Sequence, residues 1–196
     1  MVTRSGLADD LGKLGLGAVG VVMVHCRLSA LGRVVGGAEV VVRALFDVLG
    51  SGGTLVAYTG WQDAPPYARL VELGGQVAML GAPLDTDTLV HHAEAIADVS
   101  DKRRVVYRYP VFEGGQRIWR TFSDIDTSEG ALPYERVVGD EDYVGYLARS
   151  ALAAGCGKSG LVGEATAYLF DAPQLVEHAV GWIEQNFSFR PPGDRR

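Results

Sequence analysis

Cysteine is scarce in this chain of 196 residues: Cys26 and Cys156 are the two present. Two thiols make no disulfide framework, and neither has the spaced partners of a metal site. A reducing cytoplasm fits such a chain. An excess of positive charge is also missing. Eighteen Lys and Arg stand against 24 Asp and Glu, for a formal net charge of −6. That balance argues against nucleic acid as the main partner. No uninterrupted run of about 18 apolar residues exists, so no membrane span is expected. Asp9, Asp10 and Lys13 interrupt any apolar run near the N-terminus, so no signal peptide is read there. There is no internal repeat.

What is present suits one domain. A hydrophobic content of 47% over this length supports a real core. Ser5–Leu14 reads as an amphipathic helix with Leu7, Leu11 and Leu14 on one face and Gly15 to end it. Gly20–His25 reads as a buried strand, Ala38–Leu49 as a helix and Thr54–Thr59 as a second strand, parallel to the first. Ala68–Leu73 is a short helix, Gln76–Leu80 a strand and Leu89–Asp98 a helix. Val105–Phe112 and Arg117–Phe122 flank Glu113-Gly-Gly-Gln116 and read as a hairpin, which makes the sheet mixed. Glu141–Ala154 is helical, with Tyr143, Tyr146, Leu147 and Ala151 on one face. Gly160–Phe170 is a glycine-interrupted apolar stretch. Asp171 caps a last helix that runs to about Phe187, and residues 188–196 read as a disordered tail. The expected fold is α/β: a mixed, partly parallel sheet flanked by helices, with a C-terminal β-hairpin, in a single domain over residues 1–187.

The chemistry concentrates in Gly81-Ala-Pro-Leu-Asp-Thr-Asp-Thr-Leu-Val-His-His-Ala-Glu94. A buried strand enters an acidic loop, and Thr88 is placed to cap the helix that follows. His91 then falls in the first turn, where the helix dipole favours a neutral base. Glu94, three residues on, can orient the ring or anchor a cationic substrate. His25 ends the first strand, at the edge where open α/β sheets bind ligands. The loop after it has neither a P-loop nor a Gly-x-Gly-x-x-Gly spacing. It still offers backbone N–H groups and Arg27 near a helix start, which suits a phosphate-bearing cofactor. His25 and Cys26 diverge to opposite faces, which argues against a thiol nucleophile. Trp61 beside Asp63 offers a platform for an amino sugar, and Asp124-Ile-Asp-Thr-Ser-Glu129 is a second acidic loop.

The pattern Asp85-x-Asp87-Thr88-x-x-His91-x-Ala93-Glu94 resembles the signature of the aminoglycoside N3-acetyltransferase family, the non-GNAT antibiotic acetyltransferases. Met23-Val-His-Cys-Arg-Leu-Ser-Ala-Leu-Gly32, Gly53-Thr-Leu-Val-Ala-Tyr-Thr-Gly-Trp-Gln-Asp63, Leu70-Val-Glu-Leu-Gly-Gly-Gln-Val77 and Gly160-Leu-Val-Gly-Glu-Ala165 fit it in the same order. The resemblance implies the family's three-layer fold and transfer of acetyl from acetyl-CoA to an aminoglycoside, without a metal. It implies His91 as general base, assisted by Glu94 and Thr88. It places coenzyme A against His25, Arg27, Leu28, Ser29, Ala30, Leu31, Gly32, Val34, Gly36 and Thr88. It leaves Trp61, Asp63, Asp85, Asp87, Asp124 and Asp126 for the antibiotic's ammonium groups. Family members are longer, and a segment between Tyr67 and Ala68 has no counterpart here. The expectations are therefore an active aminoglycoside acetyltransferase, a related N-acyltransferase with a different amine substrate, or a shortened member that binds coenzyme A or aminoglycoside without efficient turnover.

Overall fold

The computed structural model describes residues 1–17, 20–57, 65–100, 102–126, 128 and 130–187. Its centre is a five-stranded sheet in the order β2-β1-β3-β7-β6. β1 (Val21–Cys26) runs parallel to β2 (Thr54–Ala57) and to β3 (Gln76–Leu80), while β7 (Ala165–Asp171) is antiparallel to both β3 and β6 (Gly157–Val162). Helices cover both faces. Val22, Ala78, Leu80, Ala167 and Leu169 pack under α1 (Arg4–Leu14) and α2 (Gly37–Leu49). Val21, Met23, Val77, Met79 and Phe170 pack under α3 (Pro65–Glu72), α4 (Leu89–Ile96), α6 (Tyr143–Ala153) and α7 (Ala172–Phe187). The result is the expected three-layer α/β architecture. β3 is central and buried on both sides, which explains its unbroken apolar run from Val77 to Leu80. Among the described residues, no helix is long and apolar enough to cross a membrane.

Side-chain caps open the first and last helices, the last as expected. Thr3 accepts the Gly6 N–H at 3.2 Å to open α1, and Asp171 accepts the Gln174 N–H at 3.0 Å to open α7. The helix after the acidic loop is shorter than expected, stopping at Ile96, and the Lys102 ammonium donates to the free carbonyl of Ala95 at 2.9 Å.

The hairpin forms but does not join the sheet. β4 (Arg104–Glu113) and β5 (Gln116–Ile125) pair with each other as a separate two-stranded ribbon. Gly114 and Gly115, at φ +57° and +81°, make the two-residue turn that such a hairpin requires. The ribbon's side chains are largely exposed, Phe112 at 76% and Trp119 at 52%. A strand inside the sheet would bury such residues. The mixed character comes instead from β6 and β7, in the stretch read only as apolar. Small, alternating Ala165, Ala167 and Leu169 let β7 lie against β3 under α1.

Gly81 ends β3 at φ +65°, where three segments crowd together. A Cβ there would lie 2.7 Å from the Cβ of Ala30 and 3.0 Å from that of Ala165. This close approach sets the path of the loop into α4. Gly81→Ala is expected to lower stability by more than about 1 kcal/mol, since both conformation and space are wrong for a methyl group. Urea unfolding of the variant beside the parent measures the loss.

Candidate active site

The carboxyl end of β1 and the start of α4 meet through two side chains. The His25 Nε2 lies 3.3 Å from the Thr88 hydroxyl. His25 is buried, and burial pushes its imidazole down to about 4. It is therefore a neutral hydrogen-bonding group at physiological pH.

Thr88 does not cap α4. Its backbone is already helical, at φ −67° and ψ −13°, and its side chain makes no cap hydrogen bond. Asp87 takes that role, its Oδ1 accepting the Leu89 N–H at 3.1 Å. This also corrects the placement of Asp87 as an antibiotic anchor. It is fully buried, so it cannot meet an ammonium group in a cleft. Burial pushes its carboxyl up to about 7, against the pull of the Leu89 N–H and of His91.

His91 and Glu94 face each other as their spacing on one helix demands, with Nδ1 to Oε2 at 3.4 Å. Glu94 is completely buried. Its Oε1 accepts the Ala131 N–H at 2.6 Å and the Tyr134 hydroxyl at 3.0 Å; its Oε2 accepts the Tyr143 hydroxyl at 3.2 Å. The Tyr143 hydroxyl is also 3.3 Å from His91 Nδ1. The two phenol rings stack at 3.9 Å, and Trp182 and Phe187 close the far side of Tyr134. His91 keeps 16% of its side chain exposed, and its Nε2 makes no hydrogen bond among the described residues. The arrangement is a histidine held at one nitrogen by a buried carboxylate, with the other nitrogen available as a base.

Tyr134, Tyr143 and the Ala131 N–H are the members that sequence reasoning missed. Tyr143 reads there as a core residue of a helix face. A buried phenol needs a polar partner, and a buried glutamate needs donors, which is the signal that links them.

The remaining candidates are distributed around this centre. The 3-10 turn Leu28–Ala30 and Gly32, Val34 and Gly36 carry the chain into α2 as a continuous loop. Leu28 and Ser29 are exposed on it, but Leu31 is fully buried in the core, so its side chain serves packing. Arg27 and Ala30 line a cleft of about 690 Å³ with Gly81–Leu84, Arg149, Thr166 and Tyr168. Asp85 is exposed on the turn before α4. Asp124 and Asp126 are half-buried at the end of β5. Hydrogen bonds from Ser128 hold the Asp126 carboxyl below the usual range. Asp126 N–H donates to the Arg103 carbonyl and Arg103 N–H to that of Ala131, which ties the acidic loop to the segment that holds Glu94. Trp61 and Asp63 lie outside the described residues. Among the described residues, no three His, Cys, Asp or Glu side chains cluster as a metal would require.

Comparison with known proteins identifies the family and the fold. The pattern of the family described as aminoglycoside 3-N-acetyltransferase matches residues 23–65 and 62–184. The chain belongs to that family. Aminoglycoside N(3)-acetyltransferase VIII of Streptomyces fradiae is 38% identical over 265 residues, covering 93% of this chain and 92% of that protein. The alignment is longer than the 196-residue chain, so this aminoglycoside acetyltransferase carries residues without a counterpart here. The crystal structure of aminoglycoside acetyltransferase AAC(3)-Xa superposes with a TM-score of 0.90 at 35% identity, covering 95% of this chain and 94% of that one. A second family structure, AAC-IIIb binary with CoASH, superposes with a TM-score of 0.87 at 29% identity, covering 97% and 99%. The two matched stretches meet at 62–65, slightly ahead of the junction expected at Tyr67–Ala68.

The buried Asp87 makes a pH test. Its folded value, about 7, lies above that of an unfolded aspartate, roughly 3.9. The folded state therefore holds the proton more tightly. The stability this contributes is complete below about pH 4 and is lost as the pH rises through about 7. Asp87→Asn keeps an oxygen for the Leu89 N–H and never ionises. Thermal unfolding should show the variant more stable than the parent at pH 8, by up to about 4 kcal/mol, with the advantage shrinking toward pH 5.

Proposed function

We propose that this chain transfers the acetyl group of acetyl-CoA to an amine of an aminoglycoside antibiotic, in the cytoplasm, and so confers resistance. The observation that carries this reading is the His91–Glu94 pair, 3.4 Å apart on α4 with the carboxylate buried, in a chain of this family. His91 Nε2 takes a proton from the amine as its nitrogen attacks the thioester carbonyl. A C–N bond forms. The tetrahedral intermediate collapses with loss of the C–S bond, and the thiolate leaves with the proton that His91 carried. Glu94, buried, orients the ring and balances its charge while it is protonated. The Thr88 hydroxyl, bridged to neutral His25, is a donor for the developing oxyanion or the thioester. Coenzyme A lies along the loop from Arg27 to Gly36, and Asp85, Asp124 and Asp126, with Trp61 and Asp63, receive the antibiotic's ammonium groups.

A second reading has its own support. The relative's alignment exceeds the length of this chain, and a shortened cleft aligns substrates poorly, which alone can cost about a hundredfold. A weak or inactive member that still binds coenzyme A would give a calorimetric signal with coenzyme A and no acetylated product.

His91→Ala is expected to lower acetylation of an aminoglycoside by about two to four orders of magnitude, the usual contribution of a general base. Mass-spectrometric quantification of acetylated antibiotic measures it. Near-parental turnover in a folded variant would remove His91 from the role.

A further inference from the structure

We propose that Tyr143 is a positioning residue for His91, and that its hydroxyl fixes which imidazole nitrogen is basic. The proposal rests on His91 being the base. Three atoms form a nearly equilateral triangle: Tyr143 Oη to Glu94 Oε2 at 3.2 Å, Tyr143 Oη to His91 Nδ1 at 3.3 Å, and His91 Nδ1 to Glu94 Oε2 at 3.4 Å. The carboxylate brings no proton to this triangle and the phenol brings one. If Nδ1 were bare, two lone-pair atoms would confront each other and a single proton would serve three contacts. With the hydrogen on Nδ1, the phenol donates to Oε2 and Nδ1–H donates to the phenol oxygen and the carboxylate, so every atom is matched. Nε2 is then the bare nitrogen and faces outward.

Tyr143 is well built for this. Burial, and next the charge of Glu94, push its phenol up, so it stays protonated and remains a donor. Its ring also meets the His91 ring edge-on, with centroids 6.2 Å apart, and stacks on Tyr134. Asp142, the residue before it, accepts the Gly145 N–H at 2.9 Å and so fixes the start of α6. Tyr134 differs in one respect. It donates to Oε1 and, among the described residues, makes no hydrogen bond to His91, so it holds the carboxylate rather than the histidine.

Among the described residues, Glu94 and Tyr143 touch His91 and Asp87 acts on it through charge, while Tyr134 bonds to Glu94 and the charges of Asp142 and Arg103 act on Tyr143. Tyr143→Phe alters one of them and keeps the ring. Without the phenol, Nδ1–H keeps one acceptor, Oε2, where it had two.

Nitrogen NMR of the labelled full chain, with His91→Ala to assign the signal, reads the ring directly and needs no turnover. In the parent, neutral His91 should carry its proton on Nδ1 with Nε2 bare. In Tyr143→Phe, the same spectrum should show the neutral ring populating both tautomers, with a substantial share protonated on Nε2, because one of the two acceptors that hold Nδ1–H is gone. A parent ring protonated on Nε2 overturns the proposal without any variant, which covers the case of a Phe variant that fails to fold. A folded Tyr143→Phe protein whose neutral ring stays wholly protonated on Nδ1 also overturns it, because Glu94 would then hold the tautomer without the phenol. Failure of the underlying reading is a separate result: His91→Ala would retain acetylation while the NMR outcomes stood.

Discussion

A carboxylate removed from water must find donors inside the protein, and Glu94 is such a group. A buried charge without partners costs several kcal/mol, while each hydrogen bond to a charged group returns about 1.5–3 kcal/mol. Glu94 obtains its donors from three places: the backbone at Ala131, Tyr134 ahead of α5 (Glu135–Val138), and Tyr143 at the start of α6. The packing of those segments on α4 is therefore coupled to one charge. The aromatic stack of Tyr134 on Tyr143, backed by Trp182 and Phe187, follows from the same requirement, because both hydroxyls must converge on one carboxylate. His91 is the member of this cluster that reaches the surface, so an internal constraint is delivered outward as the orientation of a ring.

The sheet supplies the other half of the site. β1 and β3 run parallel and deliver His25 and the 81–88 loop to the same edge. β7, antiparallel to β3, starts at that edge and places Ala165 against Gly81. The crowding at Gly81 decides where the loop turns, and Asp87 then fixes the first turn of α4 from within. His25 and Thr88 touch as a result, although 63 positions separate them. Because burial keeps His25 neutral, this contact adds a dipole rather than a charge.

Much of this was legible in the chain, and the failures have physical causes. His91 and Glu94 could be paired from helical spacing alone, since neighbours three apart must share a face. The central strand could be read from four consecutive apolar residues. The capping residue was misplaced by one, because Asp87 and Thr88 are both good caps and only backbone dihedrals choose between them. Asp87 also looked like a surface anchor, since its burial depends on what packs over the loop. The hairpin was visible in its Gly-Gly turn, but nothing local states whether a hairpin joins a sheet. Tyr134 and Tyr143 escaped notice because their partner is about 40 to 50 positions away, beyond any periodic signal. The approach of β7 to β3 is equally non-local, so the mixed sheet expected from the chain is formed by strands other than the hairpin read for it.

The position of β2 at the margin of the sheet has an evolutionary consequence. The family match breaks at 62–65, between β2 and α3, and a relative carries additional residues overall. β2 has β1 on one side and no strand on the other among the described residues. Chain added or lost after β2 leaves the register of β1 with β3 and of β3 with β7 untouched. It also leaves the Glu94 cluster intact, because every segment of that cluster follows the break. The fold thus tolerates a change of length at this point, because the contacts that join the two parts, β1 with β3 and His25 with Thr88, do not run through the connection. Length can change at this margin without disturbing the hydrogen bonds that hold His91.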